Sequence, residues 1–111
     1  MTRVKKGITK VAKHKKVLKE ARGYFGARSK LVRTAKEAVM HAGSYAYAGR
    51  KQRKQQARAL WITKINAALG DKLSYKDFIA SLKARNIQLD RKILADIAQN
   101  DPQTFSKLIT K

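Results

Sequence analysis

"GRKQRKQQAR", residues 49–58, carries five positive charges, no acid and no large apolar side chain. At about 100° per residue on a helical wheel, Arg50, Lys51, Arg53, Lys54 and Arg58 fall on one broad face, and Gln52, Gln55 and Gln56 fall on the other. A helix that is polar all round has no face to bury in its own protein. Either the stretch is not a stable helix, or its partner is polar and negative. The choice decides how the whole chain is organised.

The chain has 111 residues, with 27 Lys+Arg against 7 Asp+Glu and a formal net charge of +20. Self-repulsion at that charge disfavours a compact free state, and the natural partner is a polyanion. There is no cysteine, which excludes disulfides, thiolate zinc sites and cysteine nucleophiles. The longest run free of Lys, Arg, Asp and Glu is residues 38–49, short of the roughly 20 residues a bilayer-spanning helix needs. The N-terminal segment is basic but lacks an apolar stretch, so it does not read as a secretory signal. It is free of acid before Glu20, as in mitochondrial transit peptides, yet it is Lys-rich and its first serine is Ser29.

On either side of Arg58 the physics differs. Residues 1–58 hold 18 of the Lys+Arg and 2 of the acids, but only three Leu or Ile (Ile8, Leu18, Leu31); residues 59–111 hold fourteen. The second part can build a core and the first mostly cannot. The expected organisation is a basic helical extension over 1–58 and a small all-helical globule over 59–111. No Pro- or Ser-rich linker separates them, so a continuous helix is expected to join them.

The globule is punctuated clearly. Trp61, Ile65 and Ala68, and Ile62, Ile65 and Leu69, recur at amphipathic helical spacing, and Gly70 reads as the stop. Ser74, with Asp77 three residues on, reads as an N-cap, and Leu73 and Phe78 as its hydrophobic staple. Phe78, Ile79 and Leu82 follow. Asp90 repeats the device with Leu89 and Leu94, and Ile93, Leu94 and Ile97 are expected to form the buried stripe. Asp101-Pro102 reads as N-cap and first helical residue, ahead of Phe105, Leu108 and Ile109 on one face.

In the first part, Thr9 is expected to cap a helix running to about Arg22, with Gly23 as its stop. "GYFGARSK", residues 23–30, reads as a turn. From about Ala27 to Leu69 composition favours one helix, roughly 65 Å long, which would project from so small a globule. Gly43 and Gly49 weaken it by about 1 kcal/mol each relative to alanine. No heptad runs through it, so a coiled coil is not expected. The fold class is therefore all-α: a long, kinked, basic N-terminal helical extension plus a small C-terminal helical globule.

The basic runs supply the candidate nucleic-acid contacts, because Lys and Arg neutralise phosphates and release counterions. Along the N-terminal segment these are Arg3, Lys5, Lys6, Lys10, Lys13, Lys15, Lys16 and Lys19, with His14 between two lysines as a further phosphate or base contact. Around and beyond the turn they are Arg22, Arg28, Lys30, Arg33 and Lys36. The polar helix adds Arg50, Lys51, Arg53, Lys54 and Arg58, and the globule adds Lys64, Lys83, Arg85, Arg91 and Lys92. Lys83 and Arg85 end one helix, Arg91 and Lys92 start the next, and "NIQL" alone separates the pairs, so they are expected to lie close together. Aromatic rings interleave with the charges. Tyr45 and Tyr47, with little core nearby, are candidates for stacking on unpaired bases; Phe25 and Trp61 are expected to pack locally. His14 and His41 fit no metal spacing and have no orienting carboxylate or nucleophile. No phosphate-binding glycine loop and no catalytic carboxylate pair occurs. The sequence offers no enzyme, no metal site and no cofactor or small-molecule site.

"RVKKG" at 3–7, "HKKVLKEARGYFGARSK" at 14–30, "YAYAGRKQRK" at 45–54, "LWITKINAA" at 60–68, "LSYKDFIASLK" at 73–83 and "LDRKILADIAQNDPQTF" at 89–105 resemble, in that order, the bacterial large-subunit ribosomal protein L-twenty family. Lys64 stands where the family usually has arginine, and Ala48-Gly49 replaces a more polar pair. The resemblance implies a structural constituent of the large ribosomal subunit that binds its RNA early in assembly, beside neighbouring large-subunit proteins in the cytoplasmic ribosome. Some family members also bind and repress their own messenger RNA. A general nucleic-acid-binding or DNA-compacting protein would share the charge, but would bind duplex DNA about as well as ribosomal RNA. A membrane-active cationic helix would need an apolar face beside its basic one, which residues 50–58 lack.

Overall fold

A computed structural model describes residues 7–110, and every regular element among them is helical. The elements are α1 (Ile8–Glu20), a short 3-10 turn (Gly26–Ser29), α2 (Val32–Leu69), α3 (Tyr75–Ala84), α4 (Arg91–Asn100) and α5 (Pro102–Thr110). The chain divides into two compact units between Arg50 and Lys51, with α2 contributing residues to each.

In the first unit, α1 starts two residues earlier than its sequence suggests. Thr9 lies inside the helix, and Gly7 is the N-cap without any side-chain cap. The Gly7 carbonyl accepts from the N–H groups of Lys10 and Val11 at 3.0 and 3.3 Å. α1 ends at Glu20 rather than Arg22, and Gly23 and Gly26 take left-handed φ values of 87° and 61°. The start of α2 moves from Ala27 to Val32, because the intervening residues close a tighter turn. The Ala27 carbonyl accepts from the N–H groups of Lys30 and Leu31, and the Thr34 hydroxyl reaches back to the carbonyls of Ala27 and Leu31. From Val32 the helix continues through Gly43 and Gly49 without a break. Only two described residues of this unit are buried, Ala21 and Ala35, so it holds no large buried side chain.

The second unit does have a core. Ile65 and Leu69 from α2, Phe78 and Leu82 from α3, Leu94 and Ala95 from α4 and Phe105 from α5 are buried together. Trp61, Leu73, Ile79, Ile87, Ile97, Leu108 and Ile109 pack around them. The Phe78 and Phe105 rings lie 5.4 Å apart and tilted by 50°, a pairing worth about 0.5–1.5 kcal/mol beyond its buried area.

Each short helix is started by the residue expected. Asp77 N–H donates to the Ser74 hydroxyl at 3.2 Å, Ile93 N–H to the Asp90 carboxylate at 2.8 Å, and Thr104 N–H to the Asp101 carboxylate at 3.1 Å. The Thr104 hydroxyl also donates to Asp101, and this hydrogen bond, more than the others, holds the Asp101 carboxyl below its ordinary range. α3 ends in a motif that its sequence does not advertise with a glycine. Asn86 takes φ 54°, its N–H donates to Lys83, and Ile87 N–H donates to Leu82 at 2.9 Å. That is the Schellman pattern, in which asparagine substitutes for the usual glycine and an apolar residue follows it into the core.

Two expected core positions face outward. Ile93 is 45% exposed and Ala68 is exposed, whereas Ala95 is buried. On α4 the buried stripe runs through Leu94, Ala95, Ile97 and Ala98, about 160° of the helix, and Ile93 falls beyond its edge. Leu89, expected to staple α4, remains 37% exposed. Leu94→Ala is therefore expected to destabilise the second unit by about 2–5 kcal/mol. Ile93→Ala should cost far less, and thermal or denaturant unfolding of the two variants measures the difference.

Candidate nucleic-acid interface

The first unit's surface follows directly from its lack of a core. No large side chain among the unit's described residues is buried, and its charges lie at the surface. Lys10, Lys13, His14 and Lys16 of α1 converge with Lys36 of α2 on one cleft, which Val17 and Glu20 also line. Lys15 and Lys19 are exposed elsewhere on α1, and Arg22, Arg28, Lys30 and Arg33 are exposed around the turn and the start of α2. Arg3, Lys5 and Lys6 lie outside the described residues.

Residues 50–58 are fully helical within α2. Arg50, Lys51, Arg53, Lys54 and Arg58 are all exposed, and so are Gln52, Gln55 and Gln56. None of these side chains contributes to either unit's buried set. The arrangement presents five cations along about two and a half turns at about 1.5 Å rise per residue, a row suited to successive phosphates.

Tyr45 and Tyr47 are exposed on α2, and the Tyr45 ring stacks on His41 with centroids 6.0 Å apart. Trp61 packs against the C-terminal core as expected. Phe25 does not pack: it is 96% exposed. Its residue type suggests a core role, but the first unit has no core for it to join. The signal for its exposure was the glycine on each side of the pair "YF".

The four C-terminal candidates are sorted by the fold into different places. Lys83 and Arg91 do come together, lining one groove with Asn86, Gln88 and Leu89. Lys92 lines a separate groove with Lys64, Trp61, Asp90 and Asp96. Arg85 is committed to the protein. Its guanidinium donates from Nη2 to the Leu108 carbonyl at 2.6 Å, tying α3 to the last turn of α5, and from Nε to the Ser81 carbonyl within α3 at 3.2 Å. Arg91 keeps one such tie, from Nε to the Tyr75 hydroxyl at 2.8 Å. Neither the Arg85–Leu108 nor the Arg91–Tyr75 bond was legible from spacing, because the partners lie 23 and 16 residues apart. Among the described residues, no group of three or more His, Asp or Glu is placed to hold a metal ion, and no helix is long and apolar enough to cross a membrane.

Comparison with known proteins gives a consistent set of relatives. The family described as "Ribosomal protein L20" matches residues 3–108. The chain is 54% identical over 112 aligned residues to the large ribosomal subunit protein bL20 of Hahella chejuensis, covering all of this chain and 95% of that protein. It is 51% identical to the protein of the same description from Marinobacter nauticus, covering 96% of it, and 53% identical to that of Buchnera aphidicola subsp. Acyrthosiphon pisum, covering 95%.

The two-way commitment of the C-terminal cations makes a distinction that stability measurements can read. Arg85→Ala removes a charge-assisted hydrogen bond between helices, to the Leu108 carbonyl, and is expected to destabilise the second unit by about 1.5–3 kcal/mol. Lys83→Ala, exposed and without such a tie, should stay within about 0.5 kcal/mol of the parent protein in the same unfolding experiment.

Proposed function

The chain belongs to the ribosomal protein L20 family, and on that premise we propose that it binds the RNA of the large ribosomal subunit directly and supports early assembly of that subunit. Membership makes it a structural ribosomal component rather than an enzyme, working in the cytoplasm within the ribosome. The observation that carries the RNA-binding reading is the helical stretch 50–58, in which every Arg, Lys and Gln is exposed and the one apolar residue is the small, half-buried Ala57. Phosphates meet its Arg/Lys face, and riboses, base edges or water meet its Gln face. RNA fits a surface of this kind because its charge repeats at short intervals along a path that a row of cations can follow.

In this reading residues 1–58 are the RNA-embedded extension and residues 59–111 the small globule that positions it. The compact second unit begins at Lys51, a few residues before this functional division, because the last polar turns of α2 run straight into the helix that carries Ile65 and Leu69. The globule adds a few placed contacts, with Lys83 and Arg91 in one groove and Lys64 and Lys92 in another. Neighbouring large-subunit proteins are further partners. Binding to its own messenger would use the same surfaces on an RNA that imitates the ribosomal site.

Charge reversal separates the two parts. Arg53→Glu with Lys54→Glu is expected to abolish tight binding to a large-subunit RNA transcript while leaving the unfolding midpoint of the C-terminal unit unchanged. Milder substitution is quantitative: Lys54→Ala should reduce the salt dependence of binding by roughly 0.7–0.9 in log–log slope for one lost phosphate contact. Equal competition by duplex DNA at fixed salt would instead point to a general nucleic-acid-binding protein.

A further inference from the structure

The turn between α1 and α2 holds an aromatic side chain out in solvent. Phe25 is 96% exposed, although phenylalanine is ordinarily among the most buried residues. Its backbone is extended, with φ −68° and ψ 137°, and it caps the 3-10 turn that follows. Gly23 and Gly26 flank it with positive φ, a conformation that side-chain-bearing residues adopt at a cost. The main chain is thus specialised on both sides of a residue that packs into no core.

Phe25 is one wall of an open cleft of about 650 Å³, which Tyr24, Arg28, Glu37, His41 and Tyr45 also line. The size falls within the roughly 300–1,000 Å³ of sites that hold small ligands. His41 and Tyr45 stand as a stacked pair, with ring centroids 6.0 Å apart and planes 26° from parallel. Stacked rings suit a flat aromatic group, and residues 1–58, with 18 Lys+Arg against 2 acids, suit one attached to negative charge. Glu37 sharpens the choice. A carboxylate repels a phosphate set beside it, but accepts hydrogen bonds from the N–H groups on the edge of a base.

We propose that this cleft holds a single unpaired nucleobase of the RNA, stacked on Phe25 and the His41–Tyr45 pair, with Arg28 on its phosphate and Glu37 accepting from its edge. The proposal rests on the RNA-binding function above and specifies one contact within it. Inside a duplex a base has its faces covered by stacked neighbours and its edge taken by its pairing partner, so the target is a nucleotide in a loop or bulge.

The test uses the full chain and a transcript of large-subunit ribosomal RNA, with affinity measured across a series of salt concentrations. Loss of one base–aromatic stack by Phe25→Ala should weaken binding roughly 5- to 150-fold. The salt slope should not change, because no phosphate contact is removed. Phe25→Tyr should retain binding and Phe25→Leu should not, since leucine keeps the apolar bulk but has no ring face. Chemical probing of the RNA should show one unpaired nucleotide that the parent protein protects and Phe25→Ala leaves exposed. Unchanged affinity of Phe25→Ala beside tight binding by the parent overturns the stacking site and leaves RNA binding intact. The same holds if Phe25→Leu binds as well as Phe25→Tyr, or if Phe25→Ala flattens the slope as a lysine substitution would. Failure of the parent protein itself to bind the transcript overturns both.

Discussion

A helix without an apolar face must find its partner outside the protein, and residues 50–58 are such a helix. Tertiary packing supplies most of the stability of ordinary protein helices. Here no large apolar side chain is available to pack: every Arg, Lys and Gln from 50 to 56 is exposed, and so is Arg58. The five cations also repel one another, at about 0.2–0.5 kcal/mol for each like-charged pair three or four residues apart. A polyanion reverses the sign of that term. On the proposed RNA-binding function, the charge that weakens the free helix becomes the force that orders it, and the absence of a core in the first unit fits the same requirement, with RNA taking the place of the protein interior.

The C-terminal unit meets the opposite constraint. It has few residues with which to close a core, and at this size a single core is only marginally sufficient. Its sequence compensates at the helix ends. Ser74, Asp90 and Asp101 each bind a backbone N–H at a helix start, Asn86 closes the end of α3, and Arg85 bonds the terminal carbonyl of Leu108. An N-cap of this kind contributes about 0.5–2 kcal/mol, so together they matter for a domain with so small a core. The cost is that cations near the proposed RNA surface are partly committed to the protein: Arg85 serves the fold, Arg91 is shared with Tyr75, and Lys83 and Lys92 are left for a partner.

The elements that could be read from sequence are those set by local chemistry. The three N-caps, the left-handed Gly70 and the core residues Ile65, Leu69, Phe78, Leu82, Leu94 and Phe105 follow from residue type and helical spacing. What could not be read depends on the third dimension or on competing local turns. Thr9 looks like a cap, but Gly7 takes that place because the helix begins before it. Ala27 favours helix, yet the turn held by Gly23 and Gly26 delays α2 to Val32. Ile93 and Ala95 exchange roles because the phase of the buried stripe is fixed by where α4 meets its neighbours. In the candidate site, the basic faces were legible from charge alone. The sorting of Lys83, Arg85, Arg91 and Lys92 was not, because spacing in sequence does not say which cation a distant carbonyl or hydroxyl will claim. Phe25 is a related case: its residue type points inward, and the flanking Gly23 and Gly26 with the missing core turn it out.

Residue-resolved amide hydrogen exchange on the full chain, free and bound to large-subunit ribosomal RNA, tests most directly whether RNA is the partner of the polar helix. Amides of residues 50–58 should exchange rapidly in the free protein and become protected on binding. Those of Ile65, Leu82 and Leu94 should be slow in both states. Slow exchange of residues 50–58 in the RNA-free protein, matching that of the core amides, or exchange there that RNA leaves unchanged, would contradict it.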